Sequence, residues 1–344
     1  MAQPLAIFIK DKELSPALYG FVVAARIVES SDDLDTLAVE FAIPFGSAAD
    51  DIMKLATPGV SMKLSFSTDE GTLSRTGDAL EVVHRRSPSG WTVALHGLER
   101  LHRLRKMSAV PKVWEGSHTM IVRSIAQSAG LTAKAEGVDD TANYTLQMNS
   151  DNATFLKQLA FQHNYYLRVE GMDLKFGRRH VTTGKPVALK IDADISSFEL
   201  RASLYEMATE VVVHGHDYVQ AKPVTGRADK SKLAKISGGD TGPAIAREAF
   251  GGRDIVLPAS PVTATTTANA LALAELQRRA DQFLRGVIRC SGRPDARSGR
   301  KLEVEGATWP MHGPFVIRQT RHSYEGGRYG TVIEFYSDSY PRAV

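Results

Sequence analysis

At 344 residues the chain is long enough for two or three domains with sizeable cores. Its net charge is only +3, from 42 basic and 39 acidic residues, which excludes a general basic field for nucleic acid. A single cysteine, Cys290, excludes an internal disulfide and a Cys-rich zinc site, and no apolar run approaches the roughly 18–20 residues of a membrane span.

Met1–Lys10 carries no basic region followed by a long apolar run, so no signal peptide is expected. Leu5–Ile9 reads as a strand and Gly20–Glu29 as a longer one, followed by an acidic turn over Ser30–Asp35. Leu37, Val39, Phe41 and Ile43 alternate with small or acidic residues, the period of a half-buried strand that Pro44 closes. Ala48–Leu55 is a short helical turn, and Val60–Phe66 returns to strand. Thr72–His84 and Gly90–Gly97 form a hairpin-like pair around Ser87-Pro88-Ser89-Gly90. The first hundred residues therefore predict an all-β unit with one helical insert.

The character changes after Arg105. Ile121, Val122, Ile125, Ala126 and Ala129 form a helix face, with Ser117 as N-cap and Gly130 as the stop. Tyr144–Met148 is a strand, and Asn149–Asn152 caps a second helix over Ala153–His163. Tyr165–Glu170 and Leu174–Phe176 are strands around a Gly171 turn. This middle segment predicts a small α/β unit.

From Val187 the pattern is β again, with strands over Ile195–Leu204 and Thr209–His216. Tyr218–Arg253 is rich in Gly, Lys, Asp and Ala with little periodicity, and reads as a long excursion, mobile or ordered by a partner. Pro258 and Pro261 precede a Thr-rich lead into a helix from Asn269, whose Leu and Ala residues recur at helical spacing until Gly286. Strands follow at Val287–Cys290, Leu302–Glu305, Phe315–Arg318 and Thr331–Phe335. The two β regions read as versions of one architecture, although residue identity alone shows no repeat. Cys290, in a predicted strand, is read as buried filler and fits a reducing compartment.

Few residues point to chemistry. His214 and His216 lie two apart on one strand face, but no third metal ligand is placed, and a strand-end turn at Gly215 is the plainer reading. His312 and His322 lie near acidic residues without a nucleophile in a motif context. Gly238–Gly242 matches neither a phosphate loop nor a dinucleotide fingerprint, and reads as a flexible loop. Its Asp240-Thr241-Gly242 is too short to mark an aspartic protease. Arg100, Arg103, Arg105 and Lys106, and again Arg293, Arg297, Arg300 and Lys301, read as solvated faces or as surfaces toward a neighbour or a lumen. No catalytic, cofactor-binding or metal residue is assigned.

Two segments carry a resemblance. Ser150-Asp151-Asn152-Ala153-Thr154-Phe155-Leu156-Lys157-Gln158-Leu159-Ala160, followed by Tyr165–Val169 and Leu174–Phe176, resembles a stretch of the phage late control gene D family, which includes tail hub proteins and the N-terminal part of VgrG. The C-terminal run with Arg278-Arg279-Ala280, Phe283, Gly286, Gly292, Pro294, Gly299, Gly313, Val316, His322, Tyr324, Tyr329 and Thr331 resembles the same hubs. The resemblance spans about residues 5–336. It implies a mainly β fold with an α/β insert: a first tube-like β-barrel domain over 1–106, an α/β domain over 107–186, and a second tube-like β-barrel domain over 187–344 carrying the excursion 218–253.

It further implies a non-catalytic baseplate hub of a phage tail, tailocin or other contractile injection particle. As a homotrimer it would join a six-fold tail tube to a three-fold central spike. The expected partners are the tube or tube-initiator protein, a spike on a separate polypeptide and other baseplate proteins, with nucleic acid only in transit. Assembly would take place in the bacterial host cytoplasm. The alternative, a cell-wall-binding or peptidoglycan-cleaving tail protein, draws on Val113–Thr119, Ile125-Ala126 and Gly130-Leu131, which have the outline of a LysM module.

Overall fold

A computed structural model describes residues 4–44, 46–88, 90–105, 111–136, 144–179, 185–217, 220–257 and 262–342. Ser89, Lys106, Tyr218, Pro258 and Pro261, which figured in the sequence reading, lie outside these residues. The first β unit contains β1 (Leu5–Ile9), β2 (Lys12–Glu13), α1 (Pro16–Tyr19), β3 (Val22–Ser30), β4 (Thr36–Ala42), α2 (Ser47–Leu55), β5 (Ser61–Thr68), β6 (Gly71–Ser87) and β7 (Gly90–Glu99). Alternation sets its packing: Leu37, Val39 and Phe41 are buried on one face of β4, while Ala38 and Glu40 lie half-exposed on the other. Ile7, Leu64, Phe66 and Ile52 complete this core.

A 3-10 turn over Arg100–Leu104 leads into the insert: β8 (Lys112–Glu115), α3 (His118–Ser128), β9 (Thr132–Ala135), β10 (Tyr144–Gln147), α4 (Asn152–His163), β11 (Tyr165–Glu170) and β12 (Asp173–Arg178). Both helices start as expected. The Ser117 hydroxyl accepts from Met120 N, and the Asp151 carboxylate accepts from Thr154 N. Asn164 ends α4 in the left-handed region at φ 54°. The helices bury Ile121, Val122, Ile125, Phe155, Leu156 and Leu159 against β11 and β12, and Leu101 and Leu104 of the 3-10 turn join that core.

The second β unit contains β13 (Val187–Lys190), β14 (Ile195–Ala202), β15 (Glu210–Asp217), β16 (Lys222–Asp229), β17 (Gly238–Thr241), α5 (Gly242–Phe250), β18 (Asp254–Leu257), α6 (Thr265–Ala280), β19 (Leu284–Ser291), β20 (Lys301–Glu305), β21 (Phe315–Glu325), β22 (Arg328–Ser337) and β23 (Ser339–Pro341). Two regions depart from expectation here. Residues 220–253 are not a structureless excursion. β16 pairs antiparallel with β15, β18 pairs parallel with β15, and α6 covers these strands with Ala268, Ala272, Leu276 and Ala280. Gly226 lets the layers touch: a Cβ there would sit 2.2 Å from the Ala268 backbone. Residues 234–241 are pinned to the far end of the chain. The Asp338 carboxylate accepts from Lys235 N and Ile236 N at 2.8 and 2.7 Å, and β17 pairs with β23. Gly238–Gly242, expected to be a flexible loop, is this strand and the start of α5, with Thr241 as N-cap.

The second holds Gly286, which does not stop the long helix. It lies inside β19, where a Cβ would meet the Phe335 ring at 2.2 Å and the Glu199 carbonyl oxygen at 2.4 Å.

Strands of both β units share one 13-stranded sheet in the order β14-β19-β22-β21-β3-β4-β7-β6-β5-β1-β2, with β13 and β20 branching from β21, while β16-β15-β18 and β17-β23 form separate sheets. The two units meet where β21 pairs antiparallel with β3, and among the described strands no pairing closes either unit on itself. Within this sheet the ribbon β3-β4-β7-β6 has the same antiparallel order as β14-β19-β22-β21. The irregularities coincide as well. Val23 and Ser196 are skipped at the start of β3 and β14, and Leu80 and Arg318 are skipped in β6 and β21. The repeat is thus carried by pairing and register. One feature departs from it: β1 pairs antiparallel with β5, whereas β13 pairs parallel with β20.

Candidate functional site

The most heavily charged interior lies where the two β units and the insert converge. Strand alternation places Glu29 on the inward face of β3 with Ala25 and Ile27, and Arg75 on the inward face of β6 with Leu73. Glu29 and Asp35 are fully buried, Glu99 is 1 % exposed and Arg75 is 6 % exposed. Buried charge is tolerated only when paired; Glu29, Asp35 and Arg75 pair with one another, whereas the buried Glu99 keeps one carboxyl oxygen without a hydrogen-bond partner. Arg75 ion-pairs with Glu29 and places Nε 2.8 Å from Asp35 Oδ2. Arg297, on the loop between β19 and β20, reaches across to both Glu29 oxygens at 2.9 Å. From the insert, Glu170 lies 3.5 Å from Arg75 and 3.6 Å from Arg297. Arg168 donates to the Ser298 carbonyl oxygen at 3.2 Å and to its hydroxyl at 3.1 Å. The Glu99 carboxyl accepts from Val169 N at 3.1 Å. Three regions of the chain are thereby tied through one network.

The environment shifts these groups in opposite directions. Burial pushes the Glu99 carboxyl up to about 7. Burial, then the neighbouring Glu99 charge, raises Asp35 well above the usual carboxylate range. Burial also draws Arg75 down to about 9, which leaves it charged at neutral pH. Although burial opposes it, the charges of Arg168, Lys175 and Arg75 carry Glu170 down to about 2. The cleft above the network has a volume of about 260 Å³ and is lined by Tyr166, Arg168, Glu170, Lys175, Arg297 and Arg300. Its cationic heads are engaged: Lys175 pairs with Glu170, and Arg300 donates to the carbonyl oxygens of Asp295 and Lys185. The arrangement clamps the three regions together.

His322 sits beside this network at the junction of β21 and β3. Its Nε2 lies 3.1 Å from the Ala296 carbonyl oxygen, which can only accept, so Nε2 carries the proton. Nδ1 lies 2.9 Å from the Tyr329 hydroxyl. Burial draws this imidazole down to about 3, so the ring is neutral and structural. His312 lies apart from it in chain order, in the turn before β21. His214 and His216 lie on β15, and the His214 ring meets the Thr225 hydroxyl at 3.3 Å. Among the described residues, no group of three or more His, Cys, Asp or Glu is placed to hold a metal ion. Cys290 is buried in β19, and burial pushes its thiol up to about 12, far from thiolate chemistry.

The two basic clusters are not simply solvated faces. Arg103 grips Asp78 with two hydrogen bonds of 2.7 Å, and Arg293 grips Asp295 at 2.9 and 3.0 Å. Arg297 and Arg300 point into the junction as described. The LysM-like stretch forms β8 and α3, whose apolar face packs into the core of the insert. Sequence reasoning missed Glu29, Arg75 and Glu99 as a group. The signal was present for the first two, since each occupies an inward position of an otherwise apolar strand face.

No family model matches the chain, and no curated protein matches it by sequence. Solved structures do. The 43 kDa tail protein of prophage MuSo2 from Shewanella oneidensis matches with a TM-score of 0.71 at 12 % identity, covering 96 % of this chain and 97 % of the other. A tail protein from Neisseria meningitidis matches at 0.68 and 12 % identity, covering 97 % and 96 %. A component of the type VI secretion system of E. coli, itself described as similar to the T4 tail proteins gp27 and gp5, matches at 0.59 and 10 % identity, covering 94 % and 76 %. The chain shares the fold of these tail and secretion-system proteins, mainly β with a large antiparallel sheet.

Proposed function

We propose that this chain is a structural baseplate hub of a phage tail or related contractile injection particle. In this reading three copies form a ring that seats a six-fold tube on one side and a three-fold spike on the other. The chain divides near residues 106 and 186 into two tube-like β domains around the α/β insert. The observation that carries the reading is the internal repeat of a four-stranded ribbon, with the same order and the same register irregularities in both β units. Two like units per chain turn a threefold assembly into six similar seats, which is the geometry a six-fold cylinder requires. The buried charge network supports it by holding both units in one rigid frame. The work in this reading is done by interfaces, without catalysis, at the baseplate of the particle. Native mass spectrometry of the protein, alone and beside tube and spike proteins, tests it. A trimer that binds both is expected. A monomer that trimerises beside neither overturns it, as does clearing of peptidoglycan in a zymogram by this chain alone.

A further inference from the structure

The cleft where the two β units and the insert converge carries more positive charge than its carboxylates answer. Arg168, Lys175, Arg179, Arg297 and Arg300 line it, and Arg75 lies beneath. The carboxylates paired with these six are Glu29, Asp32, Asp35 and Glu170. Two of the four are shared widely. Glu170 lies within ion-pair range of Arg75, Arg168, Lys175 and Arg297, and Asp32 also pairs with Arg318. Glu99 adds only part of a charge at neutral pH, because burial pushes it up to about 7.

Arg300 is the plainest case. Its head donates to the Asp295 and Lys185 carbonyl oxygens at 2.7 and 2.6 Å, and among the described residues no carboxylate pairs with it. Asp295 offers it only a backbone oxygen, since the carboxylate is held by Arg293. A guanidinium fixed by carbonyls keeps its full charge and retains N–H groups for a ligand. Arg168 is similar: Nη1 is held by Ser298, whereas Nε, 3.2 Å from Glu170, makes no hydrogen bond.

We propose that this cleft binds one small tetrahedral oxyanion, of the phosphate or sulfate kind. Six cations against four carboxylates leave an excess that a dianion offsets, and guanidinium forks fit such oxygens two at a time. The volume of about 260 Å³ lies below the roughly 300–1,000 Å³ of sites for larger organic ligands, which suits a single ion better than a nucleotide. Ser31 and Tyr166 add hydroxyl donors to the lining. The ion would bridge Ser31 of the first β unit, Arg168 of the insert and Arg300 of the second β unit, so its binding tightens the joint between all three. The inference stands apart from the hub reading, because it concerns a single copy.

The test is isothermal titration calorimetry and thermal unfolding of the full chain with sodium phosphate or sodium sulfate, against sodium chloride at matched ionic strength. A ligand that binds only the folded protein raises Tm with its concentration. The expected result is a saturable heat at one ion per chain and a rise in Tm that chloride does not give, for phosphate and sulfate alike. Arg300→Gln should weaken binding at least tenfold, and Arg300→Lys should weaken it less. Arg201→Gln, which alters an exposed arginine on β14, should leave it unchanged. Where Arg300→Gln fails to fold, Lys175→Gln takes its place in the same comparison. No saturable heat in the unaltered chain overturns the site. Equal weakening, or none, across Arg300→Gln, Lys175→Gln and Arg201→Gln also overturns it, because that is a general charge effect.

Discussion

The two β units carry the same four-stranded ribbon and differ in what covers its edges. On β3 the edge is covered by β21, and one charged residue there is buried: Glu29 is matched by Thr320 and by two arginines from other parts of the chain. At the equivalent position of β14 stands Ala202, and its neighbours Glu199 and Arg201 are exposed. One backbone template thus accepts two side-chain solutions. A buried carboxylate is affordable only where partners converge from several segments. An exposed edge carries side chains that water can solvate.

The largest expected effect is on the closed junction. Arg75→Met leaves Glu29 and Asp35 buried without their main partner and should cost about 3–5 kcal/mol, read from the midpoint of urea unfolding. A loss near zero would mean that the junction is held by strand pairing alone.

An intermediate effect is the pH profile of stability. His322 has its folded pKa drawn down to about 3, so its contribution is complete above its usual value and is lost as pH falls from about 6.5 toward 3. Glu99 has its folded value raised to about 7, so its contribution is complete below about 4.5 and is lost as pH rises through 7. Unfolding free energies measured across pH should therefore show His322→Leu flattening the acid limb and Glu99→Gln flattening the limb between about pH 5 and 7. The opposite assignment of limbs would contradict the burial described for these groups.

The smallest effect belongs to exposed residues of the two ribbons. Arg85→Ala and Glu199→Ala should each change stability by no more than about 0.5 kcal/mol in thermal unfolding, because their side chains are 54 % and 67 % exposed. A larger loss would show that these residues serve the fold.

Local pattern determined a good deal by itself. Period-two alternation placed β4 with its buried face, and cap chemistry placed the starts of α3 and α4, at Ser117 and within Asn149–Asn152. These features depend on residues a few positions apart, which the sequence displays directly. The order in residues 220–253, the position of Gly286 inside a strand and the Glu29–Arg75–Arg297 network were decided only in three dimensions. Asp338 holds Lys235 from 103 positions away, and Arg297 meets Glu29 across 268. The free energy of such contacts comes from burial and pairing created by the fold, so a Gly- and Lys-rich stretch that looks unstructured alone becomes a strand once a distant carboxylate caps it.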